Sequence, residues 1–296
     1  MRASIDIGSN SLLLLVVDDA GTVVHDEQRV VGLGKGLGDR GVFRSDRMEA
    51  AGAVLADYAR IAATHGVPPE QVRAVATSAA RRALNAPTFF ANQRKKTGLK
   101  IQIISGDDEA RLTWQGGASG IELSPGPVLL CDLGGGSTEI IVGEGRDIYT
   151  RVSLEIGTVR LTDAFLGYGQ VDPASLSRMR AHVDSVVSAL KLPVLPRSAV
   201  AVAGTATTLA ALELGLTAYD GGKVHGSTLS VGGLRTWMDK LLEAGPEARK
   251  ALVGVSPDRA DTLLAGAVIL LRVLETTRRQ AWKVSDRGLR WALVQG

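Results

Sequence analysis

The residue types best suited to chemistry lie together in residues 128–143, which read Val-Leu-Leu-Cys-Asp-Leu-Gly-Gly-Gly-Ser-Thr-Glu-Ile-Ile-Val-Gly. Two short apolar runs flank three glycines, a pattern that is typical of two buried strands joined by a tight turn. Because the glycines carry no Cβ atoms, a ligand can approach the backbone, and consecutive N–H groups can form an anion-binding concavity. Asp132 adds a hard oxygen of the kind that holds Mg²⁺ beside phosphates.

A second copy of this pattern lies 126 residues earlier, counted from Asp132 back to Asp6. Asp6 begins the sequence Asp-Ile-Gly-Ser-Asn-Ser, another apolar run follows it, and the same alignment pairs Gly8 with Gly134. One glycine turn alone is equally well explained as an ordinary hairpin. Two copies about one domain length apart favour two related halves, each of which contributes a phosphate-binding turn.

Three further motifs each follow a predicted strand: residues 77–82 with Arg81, residues 105–109 with Glu109, and residues 204–207, Gly-Thr-Ala-Thr. An arginine just beyond a strand end can fork two donors onto a phosphate. Glycine and threonine at a strand–helix corner can aim N–H groups at an anion. Taken alone, however, Arg81 and Arg82 are better explained as a solvated pair. The acidic residues before position 110 equally suit the first turn of any helix.

In this order, the motifs resemble those of the exopolyphosphatase and guanosine pentaphosphate phosphatase family, which belongs to the actin, sugar-kinase and Hsp70 superfold. The matching segments lie at residues 6–11, 76–81, 104–111, 132–139, 204–207 and 285–290. The resemblance implies an α/β fold with two ribonuclease H-like domains facing across a cleft. We expect these domains at residues 1–115 and 116–296, and the last helix is a candidate to pack back on the first domain.

The resemblance also implies site roles. Arg81 takes the position of the substrate-phosphate arginine, and Glu109 that of the glutamate that orients and deprotonates the attacking water. Asp132 and Glu139 complete the predicted catalytic set. They are also expected to hold Mg²⁺ or another divalent cation, with Asp6 acting through water. The predicted phosphate-binding residues are Gly8, Ser9, Asn10, Ser11, Gly134, Gly135, Gly136, Ser137, Thr138, Gly204 and Thr205.

The expected function is Mg²⁺-dependent hydrolysis of the terminal phosphoanhydride of inorganic polyphosphate, with guanosine pentaphosphate left open as a second substrate. Two alternatives remain. One is a nucleotide-dependent kinase or ATPase of the same superfold, which requires an adenosine pocket near residues 204–209. The other is a catalytically silent sensor of polyphosphate or guanosine pentaphosphate. The complete set of predicted catalytic residues argues against the silent sensor.

Composition limits the other classes of function. The 296 residues are 45% hydrophobic with a net charge of +3, and only 4% are aromatic, so no stacking platform for single-stranded nucleic acid is expected. The single cysteine, Cys131, excludes an internal disulfide and a multi-cysteine zinc site. The longest apolar run, residues 263–271, is far shorter than the roughly 20 residues of a membrane span. With no signal-peptide pattern, we expect a cytoplasmic location. We also expect a homodimer without nucleic-acid or membrane partners.

Several stretches fit the resemblance less well. The glycine-rich residues 32–41 lack the strand-to-helix context of a nucleotide loop, so we expect a flexible loop there. Residues 114–126 are a predicted hinge, and His225 is assigned a structural role. Residues 290–292 read Arg-Trp-Ala, where family members usually carry Arg-Glu-Gly. Because the sequence ends at residue 296, without the helical domains of longer members, we expect distributive action on short polyphosphates or pentaphosphate-type substrates.

Overall fold

The computed structural model describes residues 1–37, 41–252, 255 and 257–295, and it divides the chain into two units. Unit 1 contains Met1–Gly116 and Leu289–Gly296, and unit 2 contains Gly117–Gly288. Each unit has its own central sheet and its own large cluster of buried apolar side chains.

Unit 1 is built on a five-stranded sheet in the order β3-β2-β1-β4-β5. Its strands are β1 (Arg2–Ile7), β2 (Ser11–Val17), β3 (Val23–Val30), β4 (Arg73–Ala76) and β5 (Ile101–Ile103). The first three strands form an antiparallel meander, and β4 and β5 run parallel to β1. The helices are α1 (Ser45–Thr64), α2 (Ser78–Arg82), α3 (Ala86–Thr97) and α4 (Gly106–Gly117), with a 3₁₀ turn at Pro69–Gln71.

Unit 2 has a six-stranded sheet in the order β10-β11-β9-β6-β7-β8. Its strands are β6 (Val128–Leu133), β7 (Thr138–Glu144), β8 (Asp147–Leu154), β9 (Ser198–Val202), β10 (Thr228–Ser230) and β11 (Ala281–Val284). The helices are α5 (Thr158–Leu161), extended by a π-helical turn at Thr162–Leu166, then α6 (Pro173–Val187), α7 (Gly204–Glu213), α8 (Gly221–Val224), α9 (Val231–Glu243), α10 (Pro246–Lys250), α11 (Pro257–Ala260) and α12 (Leu263–Thr276). Helix α13 (Leu289–Gln295) then belongs to unit 1.

The two sheets share one topology, which confirms the prediction of two related halves. In each sheet an antiparallel hairpin occupies the centre, its outer strand pairs with a third strand, and its inner strand pairs in parallel with a strand that follows a helix. The register also repeats, because Asp6 lies opposite Leu13 and Asp132 lies opposite Glu139. At the position opposite the aspartate, unit 2 therefore has a second carboxylate, Glu139, and unit 1 has Leu13.

Strand β2 shows why the apolar runs near the predicted turns are continuous. Leu12 and Leu14 pack with the cluster that includes α1, whereas Leu15 and Val17 pack on the other face against Trp291 and Val294 of α13. A strand that is covered on both faces has no solvent side and needs no polar alternation.

The structure corrects several predicted element bounds. From its residue type, Ser45 is a predicted helix N-cap, but it is the first residue of α1 and Arg44 occupies the cap position. The apolar pattern of residues 259–275 predicts one helix, but the structure divides it into α11 and α12. The sequence also predicts a last helix from Asp286 to Val294, and that helix begins at Leu289. Sequence reasoning missed α9, although four buried residues recur on one face at helical spacing: Leu234, Trp237, Met238 and Leu241.

The predicted hinge at residues 114–126 is partly helical. Helix α4 runs on to Gly117, where an added Cβ would lie 2.7 Å from Leu130 Cδ1. Arg287 Nη1 donates to Ser119 O, so the residues after the helix are held within unit 2. No helix within the described ranges is long and apolar enough to cross a membrane.

Candidate active site

The first predicted phosphate turn connects β1 and β2 in unit 1. The N–H of Gly8 donates to Ser11 O at 3.0 Å, which closes the turn. The N–H of Gly34 donates to Ser9 O at 2.7 Å, and the N–H of Gly32 donates to Asn10 O at 2.8 Å. Backbone N–H groups therefore donate to the carbonyl oxygens of three residues of the turn, Ser9, Asn10 and Ser11.

These contacts correct the prediction for residues 32–41. Residues 32–34 are not a loose loop but a support for the first phosphate turn, and Gly34 lies so close to Ser9 and Ala79 that an added Cβ would be 3.2–3.3 Å from their Cβ atoms. Residues 38–40 of the predicted loop lie outside the described residues.

The second phosphate turn, between β6 and β7, is supported in the same way. The N–H of Gly134 donates to Ser137 O at 3.0 Å, which matches the first turn. Gly134 O accepts from the N–H of Thr158, and Gly135 O accepts from the N–H groups of Val159 and Arg160, at 2.9–3.0 Å. The donors Thr158, Val159 and Arg160 are the first three residues of α5, which follows β8.

The orientation of these carbonyls matches that expected of an anion-binding turn. Gly136 O also accepts a 2.8 Å bond from Arg160 Nε, so three successive carbonyls face the α5 segment. In a trans peptide the next N–H points opposite to the carbonyl, and the described chain contains no cis peptide bond. The N–H groups of Gly135, Gly136 and Ser137 therefore point away from α5, and none of them donates to a described residue. Consecutive N–H groups with one direction bind anions.

One supporting bond repeats with the same 126-residue spacing as the turns themselves, whereas the other supporting bonds differ between the two turns. The bond from Gly34 N to Ser9 O in unit 1 corresponds to the bond from Arg160 N to Gly135 O in unit 2. The duplication thus includes the segment behind each turn. No residue-type pattern marks that segment, because its contacts come from backbone atoms.

Asp132 and Glu139 lie on neighbouring strands as direct cross-strand partners. Glu139 Oε1 accepts from Ser137 Oγ at 2.7 Å and from Ser153 Oγ at 3.0 Å. These two hydroxyls orient the Glu139 carboxylate beside the turn. Burial, reinforced by the charges of Asp132 and Glu139, raises the pKa of the Cys131 thiol well above its usual range, so Cys131 stays a neutral core residue.

In unit 1 the structure brings together Arg81 and Glu109, as the resemblance implies. Arg81 lies in α2, and its Nη1 donates to Glu109 Oε2 at 2.6 Å and to Ile104 O at 3.1 Å. Glu109 lies in the first turn of α4. Ser105 caps this helix by accepting from the N–H of Asp108 at 3.0 Å, which confirms that Asp108 is a helix-start residue.

Asp6 lies near this pair and has an unusual environment. Its Oδ1 atom is buried and makes no hydrogen bond to the described residues. Burial, with a smaller effect from the charge of Glu109, raises the pKa of Asp6 to about 7, although Arg290 opposes the shift. A buried carboxylate without a partner is costly, and a cation or an ordered water would supply the missing interaction.

The third predicted phosphate corner, at the start of α7, carries an arginine that sequence reasoning missed. Arg259 Nη1 donates to Gly204 O at 3.1 Å, and an added Cβ at Gly204 would lie 2.4 Å from the guanidinium. Ala203, just before the helix, adopts a positive φ of 73°. Thr205 is buried, with its methyl group against Gly266.

The prediction for Thr138 needs correction. Its side chain is fully buried, and its hydroxyl donates to Ile156 O at 2.6 Å. Thr138 therefore fastens the end of β7 to the segment before α5 and supports the turn from the core side, instead of presenting its hydroxyl to a phosphate.

The donor set suits a hard divalent cation. No three His, Cys, Asp or Glu side chains among the described residues are grouped as a complete metal site. Mg²⁺ usually takes only one or two protein carboxylates and fills its remaining positions with waters and substrate phosphates. The pair Asp132 and Glu139 in unit 2 fits that requirement, and the unbonded oxygen of Asp6 provides a further acceptor in unit 1.

Comparisons with known proteins agree on one family. The family described as the Ppx/GppA phosphatase family matches residues 15–295. Exopolyphosphatase 2 of Mycobacterium tuberculosis is 34% identical over 298 residues, which cover 94% of this chain and 91% of that protein. The Aquifex aeolicus PPX-GPPA enzyme is 35% identical with a TM-score of 0.83, covering 100% and 99% of the two chains. An exopolyphosphatase from Cytophaga hutchinsonii is 26% identical with a TM-score of 0.88, covering 98% and 95%.

Proposed function

Because the chain belongs to the Ppx/GppA phosphatase family, we propose that it hydrolyses the terminal phosphoanhydride bond of inorganic polyphosphate. The observation that carries this proposal is the second phosphate turn, where the N–H groups of Gly135, Gly136 and Ser137 point away from their support with no partner in the described chain. Phosphoryl transfer requires mainly positioning and charge neutralisation, and this turn supplies both.

The residues of unit 1 supply the remaining roles. Arg81 neutralises the transferred phosphoryl group, and Glu109 orients the attacking water and accepts its proton. Arg81 and Glu109 bond each other at 2.6 Å without substrate, so an arriving phosphate competes with Glu109 for the guanidinium. That exchange would leave the Glu109 carboxylate available to water when a phosphate is in place. The turn at residues 8–11 is the proposed phosphate-binding turn of unit 1.

Dependence on a divalent cation is part of the proposal. Asp132 and Glu139 would hold the ion in unit 2, and Asp6 is the proposed metal-interacting carboxylate of unit 1. When bound, such a cation neutralises charge on the phosphate oxygens. The hydroxyls of Ser137 and Ser153 donate to Glu139 and fix the orientation of its carboxylate, as a metal ligand requires.

Guanosine pentaphosphate remains a proposed second substrate, because it also ends in a phosphoanhydride. A homodimer and a cytoplasmic location likewise remain predictions. The kinase or ATPase alternative requires a purine pocket at residues 204–209, yet the side chains of Thr205 to Leu209 are buried in α7. This burial favours the hydrolase.

Release of phosphate from a panel of substrates tests the proposal. The panel contains tripolyphosphate, longer polyphosphates, guanosine pentaphosphate and ATP, each with Mg²⁺ and in chelator. We expect Mg²⁺-dependent release from the polyphosphates. Asp132→Asn should lower kcat/KM by roughly 100-fold, in the range that one lost transition-state contact costs, and higher Mg²⁺ should restore only part of it.

Each alternative function predicts a different result with this substrate panel. Preferential release from ATP would support the kinase or ATPase alternative. Binding of polyphosphate without any release would identify a sensor. Full activity of Asp132→Asn in chelator would contradict the metal assignment.

A further inference from the structure

The hydroxyl of Ser11, the last residue of the first phosphate turn, has a partner on β3. Gln28 Nε2 donates to Ser11 Oγ at 2.9 Å, and the Gln28 side chain is exposed. A serine hydroxyl has one proton to donate and two lone pairs that accept. Because Gln28 occupies a lone pair, the O–H bond of Ser11 points in another direction, and no described residue accepts its proton. Ser11 thus keeps a donor for an anion.

The strand register places this pair on the face of the sheet that carries Asp6. Leu13 lies opposite Asp6 on β1 and opposite Gln28 on β3. Residues directly opposite one another in an antiparallel pair share a face, and so do residues two positions apart in one strand. Ser11, Gln28 and Asp6 therefore share a face. The charge of Glu109, the proposed base, contributes to the raised pKa of Asp6, so this face is the one near Glu109.

The corresponding hydroxyls of unit 2 are used differently. The register position of Gln28 is occupied there by Ser153, which lies opposite Glu139. Ser137 Oγ donates to Glu139 Oε1 at 2.7 Å, and Ser153 Oγ donates to the same oxygen at 3.0 Å. The proton of Ser137 is therefore already given to a carboxylate, whereas the proton of its counterpart Ser11 is not.

We infer that Gln28 is a positioning residue, which orients the Ser11 hydroxyl so that it donates its proton to a phosphate at the first turn. This inference rests on the proposed function and deepens it, because it names the side-chain donor of that turn. Ionised phosphate oxygens are acceptors, so a hydroxyl binds them only when its proton is available. A hydrogen bond from a hydroxyl to such an oxygen is charge-assisted and short.

Substitution of Gln28 by glutamate tests the inference, because a carboxylate accepts where the amide donates. In Gln28→Glu the Ser11 proton should turn to the new carboxylate, as the proton of Ser137 does in unit 2. We expect the KM for tripolyphosphate to rise roughly tenfold, as for a lost hydrogen bond to a charged group, with kcat changed less than about twofold. Gln102→Glu, at an exposed glutamine of β5 in the same sheet, is the matched control for the added charge.

A double-mutant cycle with Ser11→Ala separates orientation of the hydroxyl from charge repulsion. Gln28→Leu removes the donor without adding charge, and it should raise KM in the wild type but leave KM unchanged in Ser11→Ala. In the Ser11→Ala background, Gln28→Glu should keep only the repulsion by its charge, which high salt screens. If Gln28→Leu had the same effect with and without Ser11, Gln28 would act independently of the hydroxyl and the inference would be overturned.

Calorimetric binding of tripolyphosphate separates this inference from the proposed function, since it needs no turnover. We expect Gln28→Glu to bind roughly tenfold more weakly than the wild type, with the same thermal unfolding because Gln28 is exposed. Equal affinities would overturn the role of Gln28. A wild type that binds tripolyphosphate without releasing phosphate would overturn only the hydrolase proposal.

Discussion

Asp6 combines a buried, unbonded oxygen with a pKa raised to about 7 by burial and by Glu109. An aspartate in the unfolded chain releases its proton near pH 4. Between about pH 4 and pH 7 the folded protein therefore holds a proton that the unfolded chain has lost. Stability falls as pH rises through this window, by up to about 1.4 kcal/mol per pH unit.

Asp6→Asn should remove this penalty, because the amide carries no charge at any pH. In chelator, we expect the two proteins to have the same free energy of unfolding near pH 4. As the pH rises to 8, the free energy of unfolding of the variant should become progressively larger than that of the wild type. Chemical denaturation at several pH values measures this difference. The same variant should lose phosphatase activity, since it removes an acceptor from the site.

Asp46→Asn serves as a control of opposite sign. Bonds from Arg44, with those from Arg47, lower the pKa of this exposed carboxylate to about 2, so its stabilising contribution is present above pH 4 and lost in acid. A constant gap between Asp6→Asn and the wild type across the whole pH range would contradict the account of Asp6.

At the scale of elements, the second turn depends on the close approach of Gly157. An added Cβ at Gly157 would lie 2.5 Å from Gly135 O and 2.6 Å from the carbonyl carbons of Gly135 and Gly136. These are backbone atoms, so a side chain at position 157 must push the turn and α5 apart. The bonds from Thr158, Val159 and Arg160 to the turn would lengthen with that displacement.

Gly157→Ala should therefore weaken substrate binding more than it weakens the fold. We expect the KM for tripolyphosphate to rise roughly tenfold, in line with the cost of lost charge-assisted hydrogen bonds. Steady-state kinetics and thermal unfolding measure the two effects. Gly232→Ala in α9 is the matched control, since its Cβ would meet only Ser230 Oγ, at an ordinary 3.7 Å. An unchanged KM for Gly157→Ala would contradict the supporting role of α5.

Elements marked by a strong pattern were predictable, and those defined by backbone contacts were not. The two glycine turns follow from residue types. So does the helix after Asp172-Pro173, because aspartate is a favoured N-cap and proline suits the first helical position. The structure confirms the turns and this helix. The supporting residues 32–34 could not be found in this way, because their function resides in N–H groups that every residue except proline carries. Arg259 was missed for a related reason: only the fold brings it to Gly204, 55 residues earlier in the sequence.

At the scale of the whole molecule, the chain is a duplication whose halves have diverged at defined positions. The shared sheet topology and the family match over residues 15–295 confirm the actin-like α/β fold expected from the sequence. Position by position, Leu13 corresponds to Glu139 and Gly34 to Arg160. Unit 2 thus has a carboxylate and a cation at positions where unit 1 has Leu13 and Gly34, and unit 1 holds Arg81 and Glu109.

The central claim is that Glu109 performs the chemistry while the turns and Arg81 hold the substrate. The most direct test compares Glu109→Gln with the wild type, using phosphate release and calorimetric binding of tripolyphosphate in the presence of Mg²⁺. We expect kcat to fall at least roughly 100-fold, as for loss of a general base. Affinity should be kept or improved, because Arg81 loses its carboxylate partner. A variant that released phosphate at the wild-type rate, or that lost binding together with activity, would contradict the account.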